Sequence, residues 1–344
     1  MKGKREVIFM ETRKIQLTGG STYAISLPKN WVNQAGIGKS DSVGVVPQDD
    51  GSLLITPKTE IAKKARRRVF ETNEDADGTH ILRKLIGAYI AGFNEIEVDM
   101  KPRLSADVRR AVREFSRMTI GTEIIEESTK RMVLRDLLDP SDLPFDKSTR
   151  RMFYISRRML SDAIQSFINN DPELAADVIS RDVEVDRLNW LMARQYHMTT
   201  RDPALAEKLG ASRTIGMNYI LISRLNERIA DHACKICYNV QYLKGMKLPD
   251  KYCKDIQKVG EKAMEAYDRS VEAFFGQDIE SLNDTMDFGH QAIAECERIA
   301  ERLSKWGKEG AVAASNIIES IRRTLSYANN IAEVSINHLV DDSS

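Results

Sequence analysis

Two stretches of this 344-residue sequence hold carboxylates at helical spacing. Asp182-Val-Glu-Val-Asp186 and Glu227-Arg-Ile-Ala-Asp231 each place two acids at i,i+4, hence on one face of a helix. In an antiparallel helix pair, Asp182 falls opposite Asp231 and Asp186 opposite Glu227. Both pairs share one midpoint, and it lies in the turn expected between Asp202-Pro203 and Gly210. Four carboxylates are thus expected at one level of one helix seam. Like charges at i,i+4 cost about 0.2–0.5 kcal/mol per pair on an exposed helix, and more when packed together. A hard cation would remove that cost, and oxygen donors suit Fe, Mn, Mg or Ca better than Zn. The plainer reading is a solvated face with Arg181, Arg187 and Arg228 as partners, in surface ion pairs worth about 0–1 kcal/mol each. Val178, Val185 and Met192 share the stripe of Asp182, which argues against full solvation.

A partial echo follows downstream. Aligning Asp186-Arg187-Leu188 with Glu301-Arg302-Leu303 puts Glu297 and Glu301 on the corresponding helix, opposite Ser326 and Arg322. Base and hydroxyl replace acid there, so Glu297 and Glu301 read as remnants of a second metal site, with Arg322 placed to neutralise Glu301. Cys234-Lys-Ile-Cys237 is a CxxC inside a predicted helix with no second pair nearby, and Cys253 and Cys296 are isolated. Zinc or redox chemistry is therefore not expected, although Cys234, one turn after Asp231, borders the acidic cluster. The five histidines are scattered, and His232 reads equally well as a surface residue. Neither GxxxxGK[ST] nor GxGxxG is present, and no nucleophile–base set appears, so the expectation is a protein that is not an enzyme.

The elements that must carry these residues are mostly helical. Phe153, Ile155, Met159, Leu160, Ile164, Phe167 and Ile168 recur at helical spacing up to Asn169-Asn170-Asp171-Pro172. Further helices are expected over Leu174–Gln195 and Ser212–Leu243, then Tyr252–Phe275, Ile279–Lys305 and Ala311–Leu339, with Gly245–Pro249 between the two trios. Two successive three-helix units suggest an internal duplication. Ahead of them, Ile81–Ile90 and Ala106–Met118 read as helices and Glu95–Asp99, Thr122–Glu127 and Arg131–Leu138 as strands, a small α/β unit. Asp139-Pro140 and Leu143-Pro144 close it as a linker.

The start of the chain has a different texture. Arg13–Leu17 and Thr22–Leu27 alternate apolar and polar around Thr18-Gly19-Gly20-Ser21, and Ser42–Val46 and Ser52–Thr56 flank a turn at Gln48-Asp49-Asp50-Gly51. A helical turn from Pro28 to Ala35, ended by Gly36, joins these two hairpins. Fewer than 60 residues of mostly small side chains bury little core alone, so pairing with a second copy is expected. The expected domains are therefore 1–58, 59–148, 149–246 and 247–344, and the fold class is mainly α: a duplicated three-helix bundle behind a small β domain and a small α/β unit.

The net charge of zero hides an asymmetry. Through Phe70 the chain carries 13 Lys+Arg against 6 Asp+Glu, and the remainder carries 38 against 45. A basic head on an acidic body suggests different partners for each. Ile61–Phe70 reads as a strongly basic helix, but its charges circle the helix, so DNA contact is better assigned to Lys4, Arg5, Arg13 and Lys14. Hydrophobic and charged residues at 42% and 30% are ordinary globular values. No stretch approaches eighteen consecutive apolar residues, so no membrane insertion is expected. The basic start is followed by only Val7–Met10 as an apolar core, too short for a secretory signal, and four cysteines suit a reducing compartment. The expected location is the cytoplasm.

The acidic motifs Asp182-x3-Asp186 and Glu227-Arg-Ile-Ala-Asp231-His232-Ala233 resemble those of the PhoU family of phosphate-uptake regulators. Asn330-Ile331-Ala332-Glu333 resembles the end of the same motif in a second repeat, and the likeness covers about residues 150–340. It implies a duplicated three-helix bundle with multinuclear metal clusters, iron among them, held here by Asp182, Asp186, Glu227 and Asp231 with Glu297 and Glu301 as remnants; Mn, Mg or Zn stays open. It also implies regulation of phosphate uptake beside a phosphate transporter and a signalling kinase. Lys14-Ile-Gln-Leu-Thr-Gly-Gly-Ser21, Leu27-Pro-Lys-Asn-Trp31 and Gly51-Ser-Leu-Leu-Ile55 resemble a swapped-hairpin AbrB domain, which implies an interleaved homodimer that binds DNA. The combination resembles archaeal phosphate regulators. The expected function is a DNA-binding transcriptional regulator with inorganic phosphate as effector; the competing one is an adaptor that docks on the transporter or kinase without touching DNA.

Overall fold

The computed structural model describes residues 11–47, 51–57, 66–73, 75–210, 213–243, 246, 248–306 and 310–342, and the chain forms two compact units, Met1–Lys64 and Ala65–Ser344.

In the first unit, β1 (Gln16–Thr18) and β2 (Thr22–Ala24) pair antiparallel, and so do β3 (Gly44–Pro47) and β4 (Leu53–Thr56). The first hairpin turns through Gly19 and Gly20 at φ of 64° and 85°, a region that side chains with a Cβ rarely enter. Helix α1 (Lys29–Ala35) joins the hairpins and ends at Gly36, a left-handed cap. Arg13 and Lys14 stand just ahead of β1 rather than on it. No residue of α1 is buried, and Ile15, Leu17, Tyr23, Ile25, Val45 and Leu53 are exposed, Tyr23 at 76%.

The second unit opens with a four-stranded sheet of order β5-β6-β8-β7. Strand β5 (Arg67–Thr72) runs parallel to β6 (Glu95–Met100) through the crossover helix α2 (Gly78–Ile90). Helix α3 (Ala106–Met118) follows, then β7 (Thr122–Glu127) and β8 (Arg131–Asp136), an antiparallel pair. Part of the expected basic helix over Ile61–Phe70 is thus a strand. From Arg67 to Thr72 the side chains alternate, Phe70 packing on the core, and the β-branched and aromatic run Val69-Phe70 with Thr72 suits a pleated edge. The rest of that call, Ile61–Ala65, lies outside the described residues. One face of the sheet packs Ile96, Val98, Met100, Met132 and Leu134 against Ile81, Leu85, Val108, Val112 and Phe115 of the helices. This layer has its own core and belongs to the same compact unit as the helices after it.

The remainder is a double bundle. Helices α4 (Phe145–Asn169), α5 (Pro172–Thr199) and α7 (Arg213–Tyr242), with the short α6 (Pro203–Lys208), make the first; α8 (Asp250–Gly276), α9 (Ile279–Trp306) and α10 (Ala311–Asp342) make the second. The break between α4 and α5 is local chemistry: Asn170 takes φ 50°, the Asp171 carboxylate accepts from the N–H groups of Glu173 and Leu174, and Pro172 opens the first turn. The bundles join through α7 against α10 and α4 against α8, and share one core. Across that join the Tyr267 hydroxyl donates to Asn226 Oδ1, and Arg157 Nε donates to Asp268 Oδ1 at 2.6 Å. No described helix is long and apolar enough to cross a membrane.

Candidate functional site

The structure brings Asp182 and Asp186 of α5 together with Glu227 and Asp231 of α7. A turn further along the same seam, the Ser223 hydroxyl donates to Asn189 Oδ1 at 3.0 Å, which fixes the antiparallel register. All four carboxylates are half-buried between flanking Val185, Ile229 and Ala230. Burial, together with Asp182, Glu227 and Asp231, pushes the Asp186 carboxyl up to about 7. Burial and then Asp231 push Asp182 upward, and the same pair of causes raises Glu227. Asp182 Oδ1 and Glu227 Oε2 are buried with no hydrogen-bond partner.

Most of the arginines that might have explained these acids point elsewhere. Arg181 bonds Asp162 at 2.7 Å and Asp177 at 2.9 Å, and Arg187 donates to the Thr119 carbonyl at 3.3 Å. Arg228, itself half exposed, approaches to 3.7 Å from Glu227 and 3.8 Å from Asp231, and Arg224 adds positive charge near Asp186 and Glu227. Two orphaned oxygens and a carboxyl pushed up to about 7 are what a cluster of like charges shows when its cations compensate it only in part, and oxygen donors of this kind suit a hard cation. Among the described residues, however, no three Asp, Glu, His or Cys side chains are arranged as a formed metal site.

Cys234 does border the cluster: its buried thiol lies beside Asp182, and burial with that carboxylate pushes it up. Cys237 is buried too, its thiol pushed up to about 12 by burial, so neither is a reactive thiolate. All four cysteines are free. His232 turns away from α5 toward α10, 5.7 Å from the Tyr327 ring; burial, with Lys235 and Arg323 nearby, pushes it down to about 4.

Glu297 and Glu301 do not come together as a second site. Glu301 takes Lys305 at 2.6 Å on the surface, and Arg322 pairs with Glu319, not with Glu301. The physical reason is register. In the α9–α10 seam Gly289 faces Asn329, whose Nδ2 donates to the Met286 carbonyl at 3.2 Å. Matching Ile229-Ala230 to Ile331-Ala332 puts Asn329 at the place of Glu227 and Glu333 at that of Asp231, with Gly289 and Thr285 opposite. The Ile-Ala step of Asn330-Ile331-Ala332-Glu333 marks this level, where Glu301-Arg302-Leu303 gave a different one. The sequence reading also missed Arg194, buried on α5, which donates to the Tyr89 and Phe93 carbonyls at 2.6 and 2.9 Å and to Asp136 at 2.6 Å. With Trp190 it fastens α5 to the α/β layer. Of the proposed DNA contacts, Lys4 and Arg5 lie outside the described residues; Lys14 is exposed, and Arg13 pairs with Glu11.

Comparison with known proteins agrees with this layout. The PhoU domain family matches residues 149–240, and the family described as antidote-toxin recognition MazE, bacterial antitoxin, matches residues 16–63. No curated protein sequence matches the chain. Among solved structures, PhoU from Pseudomonas aeruginosa is similar at 17% identity and a TM-score of 0.52, covering 58% of this chain and 96% of that one. The phosphate transport system regulatory protein PhoU from Streptococcus pneumoniae is similar at 16% identity and a TM-score of 0.49, covering 56% and 92%. The first of these likenesses shows that the double bundle has the PhoU fold. The chain carries a PhoU domain behind an N-terminal MazE/AbrB-like antitoxin-type domain.

Proposed function

We propose that this protein is a DNA-binding regulator of phosphate uptake, in which the MazE/AbrB-like unit grips DNA as a homodimer and the PhoU-like body carries the sensor. What supports it most is the union of these two domain types in one chain, both from regulatory rather than catalytic families. Dimerisation is supported by the exposed Ile15, Leu17, Tyr23, Ile25, Val45 and Leu53, far too much apolar surface for so small a unit to leave wet. A second copy that interleaves the hairpins would cover it and double the basic footprint of Lys4, Arg5, Arg13 and Lys14.

The sensor would be the α5–α7 seam. Asp182, Asp186, Glu227 and Asp231 would hold a cation or a small cluster, iron being the metal that the resemblance implies and Mn, Mg or Ca equally suited to the oxygen donors. Bound there, the metal would supply positive charge on which inorganic phosphate could sit as effector. The chain's own part is to keep four carboxylates together and half-buried with only the long contacts of Arg228 to offset them, so that cation binding relieves their repulsion.

Fluorescence anisotropy tests the reading directly, with DNA from upstream of the protein's own gene and of neighbouring phosphate-transport genes. Preference over random DNA is expected. Loss of all preference would leave an adaptor that docks on a transporter or kinase. Metal analysis of the purified protein tests the seam: Asp182→Ala with Asp231→Ala should abolish bound metal, and full retention would remove this site.

A further inference from the structure

We propose that the outer face of the α2–α3 helical layer is a second contact surface for the DNA backbone, separate from the N-terminal unit. The proposal rests on the DNA-binding reading above. Helix α3 buries Val108, Ala111, Val112 and Phe115 in the core of the α/β layer. Its opposite face carries Arg110, Arg113 and Arg117 at i, i+3 and i+7, a single stripe. Arg109 lies beside it, Arg103 just before the helix, and the neighbouring α2 adds exposed Arg83 and Lys84.

The two faces of this layer treat arginine differently. On the far side of the sheet, Arg67 and Arg131 both bond the buried Glu97, and Arg135 bonds Glu95 at 2.9 Å. Those guanidiniums are consumed by carboxylates of the layer itself. On the helical face, Arg109 and Arg113 share the single carboxylate of Glu127, at 2.7 and 2.9 Å, and Arg110 has only exposed Asp107. Arg117 has no ion-pair partner among the described residues. Exposed Glu114 lies on the same stripe, but with Asp107 and Glu127 it offsets only part of the charge of Arg103, Arg109, Arg110, Arg113, Arg117, Arg83 and Lys84, so positive charge is in surplus there. Exposed pairs of this kind exchange readily for phosphates because each is worth only about 0–1 kcal/mol.

The chemistry selects the partner. The stripe from Arg110 to Arg117 runs about 10 Å along the helix axis, a length over which duplex DNA presents about six phosphate charges. The guanidinium fork suits phosphate oxygens. A lipid surface is disfavoured, since the apolar face of α3 is spent on the protein core and the exposed stripe has no large apolar side chain to insert. The contact reads no base edges, so it adds affinity without sequence preference.

The test uses the full chain and random-sequence duplex DNA, with binding measured across salt concentrations. Arg110→Gln, Arg113→Gln and Arg117→Gln combined should lower the slope of log affinity against log salt by about 2–3 and weaken binding at least about tenfold at low salt. A control that removes equal charge from the helical body, Arg269→Gln with Arg302→Gln and Arg323→Gln, should leave the slope unchanged. Thermal melting of each variant establishes that it is folded. An unchanged slope in the α3 variant overturns the proposal while the DNA-binding reading stands. Absence of DNA binding by the unmodified protein overturns both. Loss of binding to anionic phosphatidylglycerol vesicles, with DNA binding intact, reassigns the stripe to a membrane.

Discussion

At the level where α5 meets α7 the seam holds Asp182, Asp186, Glu227 and Asp231; at the same level between α9 and α10 stand Thr285, Gly289, Asn329 and Glu333. The backbone plan is shared, but the two halves answer the same packing problem with opposite chemistry. In the second half a glycine lets an amide close the gap, Asn329 bonding the Met286 carbonyl. In the first half the seam is left charged, with orphaned oxygens on Asp182 and Glu227, whereas the oxygen left without a partner in the second seam is the neutral amide Oδ1 of Asn329. A seam that only had to hold helices together would look like the second. The first gives up stability locally, because like charges repel where the second seam has the neutral Thr285, Gly289 and Asn329.

The contrast continues along the helices. One turn and two turns past Asp186, α5 inserts Trp190 and Arg194 against the α/β layer; at the matching places α9 has Ile293, packed within the bundle, and exposed Glu297. Burial outweighs the neighbouring guanidinium at Asp136, whose carboxyl is pushed up despite Arg194. The pair therefore fixes the geometry more than it stabilises the fold. Arg194→Leu should cost about 3–5 kcal/mol, since it strands Asp136 and two carbonyls. Adding Asp136→Leu should recover part of that loss, and Glu297→Leu on α9 should stay within about 0.5 kcal/mol. Chemical denaturation measures all three. A small effect of Arg194→Leu would mean that the α/β layer is held to α5 mainly by the apolar contact of Trp190.

At the seams themselves, one added methyl and one removed charge should act in opposite directions. A Cβ on Gly289 would lie 2.0 Å from Asn329 Oδ1. Gly289→Ala should therefore destabilise by about 1–3 kcal/mol through overpacking, and Asn329→Ala should relieve the clash. At the matching level of the first seam, Asp186→Asn should stabilise the metal-free protein by about 1–2 kcal/mol at pH 8, a figure reduced from the full shift because the carboxylates reach solvent. The sign follows from proton linkage. The folded state holds the Asp186 proton up to about pH 7, while the unfolded chain releases it near 4, so stability declines as pH rises through that window. The gain from Asp186→Asn should accordingly vanish near pH 4. Denaturation at the two pH values checks it; an equal gain at both would assign the effect to something other than charge.

Much of this was legible from residue spacing alone. The i,i+4 acids and the shared midpoint placed the first seam because the turn between α5 and α7 is symmetric about that midpoint, and the helix expected over Ala106–Met118 coincides with α3 to both end residues. The second seam was not legible from Glu301-Arg302-Leu303, a triplet that repeats by composition; Ile331-Ala332 carried the register, since those residues are the buried ones. Basic residues over Arg66–Arg68 looked helical because charge says little about backbone when the deciding contacts, here the parallel pairing of β5 with β6, come from residues thirty positions away. Arg194 was invisible for the same reason: its partners, Tyr89, Phe93 and Asp136, belong to another layer.

The register of the second seam yields the smallest expected effect and the sharpest test of the comparison. If Glu301 is a surface residue bonded to Lys305, as its 66% exposed side chain has it, Glu301→Ala removes a solvated i,i+4 pair and nothing else. The denaturation midpoint should not move measurably at physiological salt, and metal content should equal that of the unmodified protein. If Glu301 instead belonged to a cation centre matching the first, the same substitution would lower the metal-to-protein ratio. Unchanged metal in Glu301→Ala, beside complete loss in Asp182→Ala with Asp231→Ala, would confine the chemistry of the double bundle to one of its halves.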